Sequence, residues 1–266
     1  PDYVFHAAAY KHVPMMENNP GESVRNNVEG TRIIADLAVK YRAKKFVMVS
    51  TDKAVNPTNV MGCSKRICEI YVQSLDKAVK DGKVEGVTQF VTTRFGNVLG
   101  SNGSVIPLFK EQIKQGGPIT VTHPDIIRFF MLIPEACKLV LEAGTMGNGG
   151  EIFVFDMGKP VKIVDLARRM IQLSGAKNVE IKFTGLRDGE KLYEEVLNEE
   201  ETTKPTFHPK IKIAQVREYD YADVCRQVDE LVASSVKEDD MGIVRRMKEM
   251  VPEFKSKHSV YEVLDK

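Results

Sequence analysis

The sequence is poor in cysteine, and the few cysteines it has do not form a recognisable pattern. Four cysteines occur among 266 residues, and no two of them are spaced as a CxxC pair. They are Cys63, Cys68, Cys137 and Cys225. Because zinc sites and disulfide frameworks both need closely patterned cysteines, neither is indicated. The sequence therefore predicts no metal site and a chain that works in a reducing compartment.

Long apolar runs and an excess of charge of one sign are also missing. The best candidate run, Ile126 to Ile133, is far shorter than the roughly 18 residues that a membrane span needs, and it contains Arg128. No secretory signal is recognisable. The 38 lysines and arginines nearly balance 37 aspartates and glutamates, which argues against a strongly basic nucleic-acid binder. These absences predict a soluble cytoplasmic protein with no nucleic-acid partner.

The first residues are unusual for the start of a protein. The chain opens Pro1-Asp2-Tyr3-Val4-Phe5-His6, without a methionine, and enters a strand-like run at once. We expect this opening to continue a longer chain whose first strand–helix units are absent.

Strand and helix patterns alternate through the first half of the chain. Apolar or β-rich runs at 3–8, 46–50 and 87–95 predict strands, and periodic apolar residues over 23–41 and 60–79 predict helices. Such alternation favours right-handed βαβ units, with a parallel sheet covered by helices on both faces. In the less regular second half, helices are predicted over 104–115, 134–143, 163–173, 222–233 and 242–250, and short strands over 119–122, 152–155 and 179–183.

Polar residues follow each of the three predicted strands of the first half. These segments run from His6 to Lys11, from Ser50 to Lys53 and from Arg94 to Val98. Ligands of open parallel sheets bind beyond the carboxyl ends of the strands. The three segments therefore predict one ligand site at that edge.

The segment Ser50-Thr51-Asp52-Lys53 is the strongest chemical signal. A hydroxyl, a carboxylate and an amine at a strand end offer a hydrogen-bond donor, an acid and a base together. The alternative is a loop with an Asx turn and a solvated lysine. On the next helix, Lys65 lies one turn after Met61, where it can reach a ribose or a phosphate.

Two further segments have features of phosphate binding. The glycine-rich stretch 96–107 precedes a helix and suits backbone approach to a phosphate, although it is not a GxGxxG or Walker sequence and also fits a flexible connector. Arg128 lies among apolar residues and needs an anionic partner, while Arg187 lies in a second loop. Two such arginines suit a diphosphate, and two structural salt bridges would explain them equally well.

Taken together, these segments resemble the extended short-chain dehydrogenase/reductases. More narrowly, they resemble the inverting UDP-N-acetylglucosamine 4,6-dehydratases, in particular the capsular and lipopolysaccharide-biosynthesis branch. The resemblance spans roughly residues 1 to 200 and rests on the segments HAAAYKHVPMMENNP, NNVEGT, VSTDKAVNPTNVMGCSKR, RFGNVLGSNGSVIPLF, RFFM and GLRDGEKLYEE.

The resemblance implies an α/β fold with a partial Rossmann-like, doubly wound parallel sheet, its first βα units missing, and a smaller α/β substrate-binding lobe. Residues 1–100, with a return strand at about 150–175, are expected to form the C-terminal part of the dinucleotide-binding domain. Residues 101–266 are expected to form mostly the substrate-binding lobe and C-terminal helices. The glycine-rich phosphate loop of such a domain is not in the sequence, so we expect weak or absent binding of NADP or NAD.

The resemblance also implies an activity, the conversion of a UDP-N-acetylhexosamine to a 4-keto-6-deoxy sugar in surface polysaccharide biosynthesis. In that family NAD(P) takes a hydride from C4, water leaves across C5 and C6, and the hydride returns at C6. Thr51 matches the residue whose hydroxyl hydrogen-bonds the C4 oxygen. Asp52 matches the acid that protonates the departing C6 hydroxyl, and Lys53 matches the base that acts at C5. Lys65 matches the lysine that holds the nicotinamide ribose.

The remaining implied contacts fall into two groups. The cofactor-binding positions are Ala7, Ala8, Lys11, Asn27, Ser50, Lys65, Phe95 and Gly96. The substrate-binding positions are Asn97, Ser104, Val105, Arg128, Arg187 and Glu190.

Met61 departs from the pattern of the wider family, which has the tyrosine of a YxxxK motif there as the C4 base. A thioether cannot accept a proton, so the C4 proton acceptor is a different group. The large membrane-linked members of this branch share the methionine. Our hypothesis is that Asp52, Lys53 or a water held by Thr51 serves instead.

Two other functions compete with the dehydratase. A nucleotide-sugar epimerase of the same fold would also use Thr51 and a nicotinamide, but it would not need the Asp52–Lys53 pair. An inert fragment that only binds substrate or assembles with other chains is the second alternative. Family members often pair through helices matching 23–41 and 60–79, so we expect a homo-oligomer, with a parent protein on the cytoplasmic face of the inner membrane.

Overall fold

The fold is built around a six-stranded sheet, seen in a computed structural model that describes residues 1–195, 197 and 202–265. Its strands lie in the order β1-β2-β3-β8-β12-β11. Their bounds are β1 Tyr3–His6, β2 Lys45–Val49, β3 Gln89–Arg94, β8 Ile152–Phe155, β11 Thr202–Pro205 and β12 Ile211–Gln215. The short strands are β4 Asn97–Val98, β5 Ile119–Val121, β6 Ile127–Arg128, β7 Phe130–Met131, β9 Val161–Lys162 and β10 Ile181–Phe183.

The helices connect these strands and cover both faces of the sheet. Their bounds are α1 Val13–Glu17, α2 Pro20–Ser23, α3 Gly30–Lys40, α4 Val60–Lys80, α5 Val105–Lys114, α6 Ile133–Met146, α7 Ile163–Ser174, α8 Tyr221–Lys237 and α9 Asp240–Met250. A π-helical segment, Val24–Glu29, joins α2 to α3, and 3-10 turns cover Asp52–Ala54 and Val260–Leu264.

The first four strands of the sheet are parallel, as the sequence predicts. β1 pairs with β2, β2 with β3 and β3 with β8 in parallel register. Successive residues of β2 point to opposite faces: Phe46 packs with α3 and α4, and Val47 packs with α6. Both faces of β2, β3 and β8 are buried, which explains why these strands read as continuous apolar runs.

The other edge of the sheet differs from the prediction, because β12 and β11 run antiparallel. The two strands are joined by a short reversal over 206–210. A parallel neighbour needs a crossover of a dozen residues or more, whereas a reversal of this length permits only an antiparallel pair. The sequence pattern did not identify either strand.

The C-terminal helices α8 and α9 pack on the first half of the chain. Val228, Leu231 and Val244 lie in the same buried cluster as Ile67 and Tyr71 of α4. These two helices therefore lie against the sheet-covering helix α4, although the expected domain boundary at residue 100 separates them in sequence. They also cover part of the helix surface that was expected to pair two copies.

A separate apolar cluster joins α5, α7, β5 and β10. Phe109, Ile119, Val121, Ile163 and Ala167 form its buried centre. Gly175 ends α7 in the left-handed conformation, with φ of 68°, as the sequence predicts for a glycine at this helix end. None of the helices in the described part of the chain is long and apolar enough to cross a membrane.

Candidate active site

The candidate active site lies where β1, β2 and β3 end. The backbone N–H of Ser50 donates to the Thr93 carbonyl at 2.7 Å, and that of Asp52 donates to the Phe95 carbonyl at 3.1 Å. Hydrogen bonds between neighbouring chain segments thus continue past the ends of β2 and β3. They bring the predicted segments 50–53 and 94–98 side by side.

Thr51, Asp52 and Lys53 form one hydrogen-bonded group. The Thr51 hydroxyl donates to Asp52 Oδ1 at 2.9 Å, and Lys53 Nζ donates to the same oxygen at 2.9 Å. Thr51 also accepts from the backbone N–H of Lys53 and caps the 3-10 turn that holds all three residues. The hydroxyl, acid and amine predicted from the sequence are therefore in direct contact.

The Asp52 carboxylate is fully buried, and one of its oxygens is unused. Its side chain has no exposed surface, and Oδ2 has no hydrogen-bond partner among the described residues. A buried, unpartnered carboxylate oxygen is costly. This oxygen faces Gly96, where a β-carbon would stand 2.9 Å away. Asp52 is thus placed to give or accept one further hydrogen bond.

Lys53 contacts three acceptors. Beside Asp52, its Nζ lies 3.4 Å from Asn97 Oδ1 and 3.8 Å from Glu194 Oε1. Burial alone would lower the pKa of Lys53, but the carboxylates of Asp52 and Glu194 raise it above its ordinary value. The amine is therefore held as an ammonium ion in this arrangement.

The segment of residues 50–53 is joined through Ser50 to a buried network of charged side chains. The Ser50 hydroxyl donates to Glu69 Oε1 at 2.7 Å, and Arg94 contacts both oxygens of Glu69 at 2.6 and 2.8 Å. Arg66 binds Glu69 at 3.0 Å and extends the network to Glu253. Ser50 was expected at the cofactor, and the structure places its hydroxyl in this network.

The expected cofactor positions on β1 and the π-helical segment lie beside α4. The Asn27 side chain accepts from the Tyr10 N–H at 2.7 Å and donates to the Tyr10 carbonyl and to the Ser64 hydroxyl, both at 3.0 Å. Asn27 therefore connects the segment after β1 to α4. Ala7 and Ala8 lie in this segment and are exposed. A π-helical turn of this kind is frequently found at functional sites.

Met61 and Lys65 are both buried on the first turns of α4. Asn59 caps this helix by accepting from the Gly62 N–H at 2.8 Å. His6, at the end of β1, is also buried and contacts the Thr31 hydroxyl at 2.9 Å. Burial, and secondly the charge of Lys65, lowers the pKa of His6 to about 4. His6 is therefore neutral near pH 7.

The glycine-rich stretch lies across the segment that follows β1. Lys11 Nζ is 3.5 Å from the Ser101 hydroxyl, and the His12 ring fills the space where a β-carbon of Gly103 would stand. Ser104 precedes α5, and its buried Oγ has no partner among the described residues. Val105 begins α5. The predicted substrate residues Ser104 and Val105 thus directly follow the stretch 101–103, which packs on Lys11 and His12.

Arg128 and Arg187 converge on Glu190. Arg128 Nη2 lies 3.4 Å from Glu190 Oε1, and Arg187 Nε lies 3.8 Å from Glu190 Oε2. Arg128 also donates to the carbonyls of Ile127, Lys191 and Leu192. Arg128 is buried and Arg187 is exposed, so only Arg187 is directly open to a soluble ligand. The structure contains the salt bridges that were the alternative to a diphosphate site.

Sequence reasoning missed Glu194. Its side chain is 4% exposed and contacts both Lys53 and Arg128. The segment that carries it is attached to the chain just after the Thr51–Asp52–Lys53 group, because the Thr58 hydroxyl donates to the Gly189 carbonyl at 2.9 Å and Lys191 Nζ donates to the Val55 carbonyl at 3.0 Å. A carboxylate within the motif GEKLYEE was the available signal.

The residues present fit the nicotinamide end of a dinucleotide. Gly96 places no side chain against the buried, unpartnered Asp52 Oδ2, while the Phe95 ring stacks on Phe155 at 5.4 Å and stabilises that strand end. Lys65 lies on α4 in the neighbourhood of His6. A flat ring beside Gly96 and a ribose beside Lys65 suit this set of donors.

The fold and this strand-end arrangement define an extended short-chain dehydrogenase/reductase, as predicted. The chain belongs to a family described as "Polysaccharide biosynthesis protein", whose model matches residues 1–216. It is similar to the capsular polysaccharide biosynthesis protein CapD of Staphylococcus aureus, at 54% identity over 92% of this chain and 40% of that protein.

The chain is also similar to an epimerase and to a protein of known structure. The UDP-glucose 4-epimerase of Rickettsia rickettsii is 43% identical over 76% of this chain and 58% of that protein. The X-ray structure of Pen from Bacillus thuringiensis has a TM-score of 0.75 and 39% identity, covering 80% of this chain and 66% of that one. The chain spans 40% and 38% of the length of CapD and of the Bacillus subtilis protein EpsC.

Proposed function

We propose that this chain carries the acid–base centre of a nucleotide-sugar 4,6-dehydratase. The substrate is a UDP-N-acetylhexosamine, and the product is a 4-keto-6-deoxy sugar used in surface polysaccharide biosynthesis. The observation that carries the proposal is the Thr51–Asp52–Lys53 group with its one unpartnered carboxylate oxygen. The resemblance to a capsular polysaccharide biosynthesis protein supports the biological setting.

The Asp52–Lys53 pair can supply both proton transfers of the elimination. The ion pair interconverts with a neutral acid and a neutral amine by moving one proton along their 2.9 Å hydrogen bond. The amine then takes the C5 proton, the acid protonates the C6 hydroxyl, and the C6–O bond breaks to release water. The pair is left as an ammonium and a carboxylate, which is the arrangement described above.

NAD or NADP would, when bound, supply the hydride chemistry between C4 and C6. The Lys53 ammonium gives its proton back to C5 when the hydrogen is restored at C6. Gly96 and Lys65 would hold its nicotinamide end. Thr51 orients the C4 oxygen by a hydrogen bond, and Met61 takes no part in proton transfer. The C4 hydroxyl proton leaves to solvent by way of Asp52, Lys53 or a water on Thr51, so that the pair again holds the single proton that the elimination needs.

The nucleotide side of the substrate is assigned to the second set of predicted residues. Arg187 is exposed beside Glu190 and is placed to meet a diphosphate, with the buried Arg128 adding charge behind it. Asn97 on β4, and Ser104 and Val105 at the start of α5, are proposed to contact the substrate as well. The unpartnered Ser104 hydroxyl supports a role in binding.

Product analysis of the full-length gene product tests this proposal. With a UDP-N-acetylhexosamine and NAD(P), we expect a product that has lost one water and an enzyme that exchanges the C5 hydrogen with solvent deuterium. Lys53→Ala should abolish both the exchange and the loss of water, with Lys159→Ala, an exposed lysine, as the control. Unaltered dehydration in Lys53→Ala would refute the assigned base.

A nucleotide-sugar epimerase is the second candidate, and the similarity to a UDP-glucose 4-epimerase favours it. An epimerase product keeps the mass of its substrate, so the same mass measurement separates the two functions. Appreciable NADP affinity of the 266-residue chain by calorimetry would count against the inert-fragment alternative. Our expectation remains that this affinity is weak.

Assembly and location are proposals as well. Copies of the chain are proposed to pair, and Ile33 and Leu37 of α3 are apolar residues that the chain's own helices leave exposed. Light scattering on the purified protein measures its oligomeric state. A link of the whole protein to the cytoplasmic face of a membrane is checked by fractionating cells that express the full gene.

A further inference from the structure

Glu194 has an unusual environment for a surface-loop carboxylate. Its Oε1 lies 3.8 Å from Nζ of the partly buried Lys53 and 3.9 Å from Nη2 of the buried Arg128, so it stands between two cations. Its Oε2 is buried and has no hydrogen-bond partner among the described residues. A carboxylate that served only to neutralise Arg128 would not be expected to leave an oxygen unused.

Arg128 does not depend on Glu194 for its neutralisation. Three backbone carbonyls accept from its guanidinium, and Glu190 lies closer to it, at 3.4 Å. Glu194 therefore has its most specific effect on Lys53. The charges alternate in sign from Asp52 through Lys53, Glu194 and Arg128 to Glu190.

We propose that Glu194 is a positioning residue of the Asp52–Lys53 pair: its carboxylate holds the Lys53 ammonium and sets the pH range over which Lys53 accepts a proton. This inference deepens the proposed function and rests on it for its role in catalysis. The other groups that face Lys53 are Asp52, Asn97 and Arg128. Of these, only Asp52 is also an anion.

The replacement Glu194→Gln removes one anion near Lys53 while keeping the shape of the side chain. The positive charge of Arg128 remains, so the ammonium form of Lys53 loses stability. The raised pKa of Lys53, to which Glu194 contributes, supports this direction. A nearby opposite charge favours the charged form of a group, so we expect the pKa of Lys53 to fall in Glu194→Gln.

Lys53 titration can be measured without substrate on the 266-residue chain. Trace acetic anhydride acetylates neutral amines, and mass spectrometry compares Lys53 with the exposed Lys159 as internal reference. At a pH below the midpoint, Glu194→Gln should raise relative Lys53 labelling about tenfold, because a larger fraction of the Lys53 amine is then neutral. Glu195→Gln is the matched control, since Glu195 is half-exposed and pairs with Lys191 instead.

A merely structural role would give a different pattern. If Glu194 only closed the site, the shorter side chain of Glu194→Asp would open it and raise labelling as well. Because the charge is kept, our proposal expects Glu194→Asp to label at close to the wild-type rate. Equal labelling in wild type and Glu194→Gln, or fast labelling in both variants, would overturn it.

The catalytic part is tested with the full-length gene product. The pH dependence of C5–H exchange should move to lower pH by about one unit in Glu194→Gln, and it should stay in place in Glu195→Gln. An unmoved profile in an enzyme that does dehydrate overturns the role of Glu194 and leaves the dehydratase proposal intact. If the wild-type enzyme neither dehydrates nor exchanges C5–H, the proposed function fails, while the labelling experiment still decides whether Glu194 controls Lys53.

Discussion

The unpartnered Oδ2 oxygen of Asp52 lies 2.9 Å from the point where a β-carbon would stand on Gly96. The two residues follow adjacent parallel strands, and the N–H of Asp52 is tied to the carbonyl of Phe95 at 3.1 Å. A side chain at position 96 would therefore press on the buried Asp52 carboxylate, and glycine avoids this contact. The need for this space, and not backbone strain, explains the glycine.

Gly96→Ala should impair catalysis while leaving the fold intact. The new methyl would press on Asp52 Oδ2 and meet Met157 and Phe129 at 3.4 Å. Displacing the carboxylate disturbs its hydrogen bonds to Thr51 and Lys53, and we expect kcat to fall by about a hundredfold. Steady-state dehydration rates and a thermal melt measure the two effects separately.

Gly30→Ala is the control for this prediction. Gly30 begins α3, and a β-carbon there would meet only a carbonyl at 3.9 Å. Alanine in a helix is more stable than glycine by about 1 kcal/mol, so this variant should be unchanged in rate and equally or more stable. An equal loss of rate in both alanine variants would contradict the role assigned to Gly96.

Removing the hydroxyl of Thr51 should lower kcat, whereas removing the sulfur of Met61 should leave it nearly unchanged. Thr51→Val removes the hydroxyl that contacts Asp52, and loss of a hydrogen bond to a reacting oxygen should lower kcat about a hundredfold or more. Met61→Leu nearly conserves volume, so kcat should stay within about tenfold of wild type. A collapse of activity in Met61→Leu, with normal folding, would show that the thioether has a specific role.

Glu69→Gln should destabilise the protein strongly. Burial alone would raise the pKa of Glu69, but Arg94, Arg66 and the Ser50 hydroxyl lower it to about 2. Losing this carboxylate leaves two buried guanidinium groups short of an anion, which costs about 3–5 kcal/mol. Urea unfolding at pH 7 measures the change.

The control for this prediction is Glu85→Gln, because Glu85 is almost fully exposed. Its free energy of unfolding should change by less than about 0.5 kcal/mol. In the wild type, the contribution of Glu69 is present above pH 4.5 and is lost as the pH falls toward 2, because the native carboxylate resists protonation. If Glu69→Gln lowered the free energy of unfolding no more than Glu85→Gln does, the stabilising role of this network would be contradicted.

His6 should make the protein less stable in mild acid. Its pKa is lowered from 6.5 to about 4 in the folded state, first by burial and then by Lys65. Between those values the unfolded chain binds the extra proton, so the free energy of unfolding falls as the pH drops from 6.5 toward 4. Urea unfolding at pH 7 and pH 5 should show a smaller difference in His6→Gln than in the wild type. His258→Asn, at an exposed position, should keep the wild-type difference.

The parallel strands and their helices follow from local patterns. A strand buried on both faces, such as 46–50, is recognisable as a continuous apolar run, and a helix that packs on the sheet, such as 60–79, is recognisable because its apolar residues recur at helical spacing. The antiparallel strand β12 was missed, since its Ile211–Gln215 run is short and its pairing with β8 depends on a segment far away in sequence. The site segments were predicted because strand ends in such sheets meet at one edge.

The alternating α/β pattern and the hydroxyl, acid and base at positions 51–53 can be read from the chain, because neighbouring residues stay neighbours in any fold. Three contacts depend on the folded arrangement: the Ser50 hydroxyl binds Glu69, α8 and α9 cover α4, and Glu194 reaches Lys53 across 141 positions of the chain. Each of these contacts joins distant segments, and which distant groups meet depends on how the whole chain packs its apolar surface.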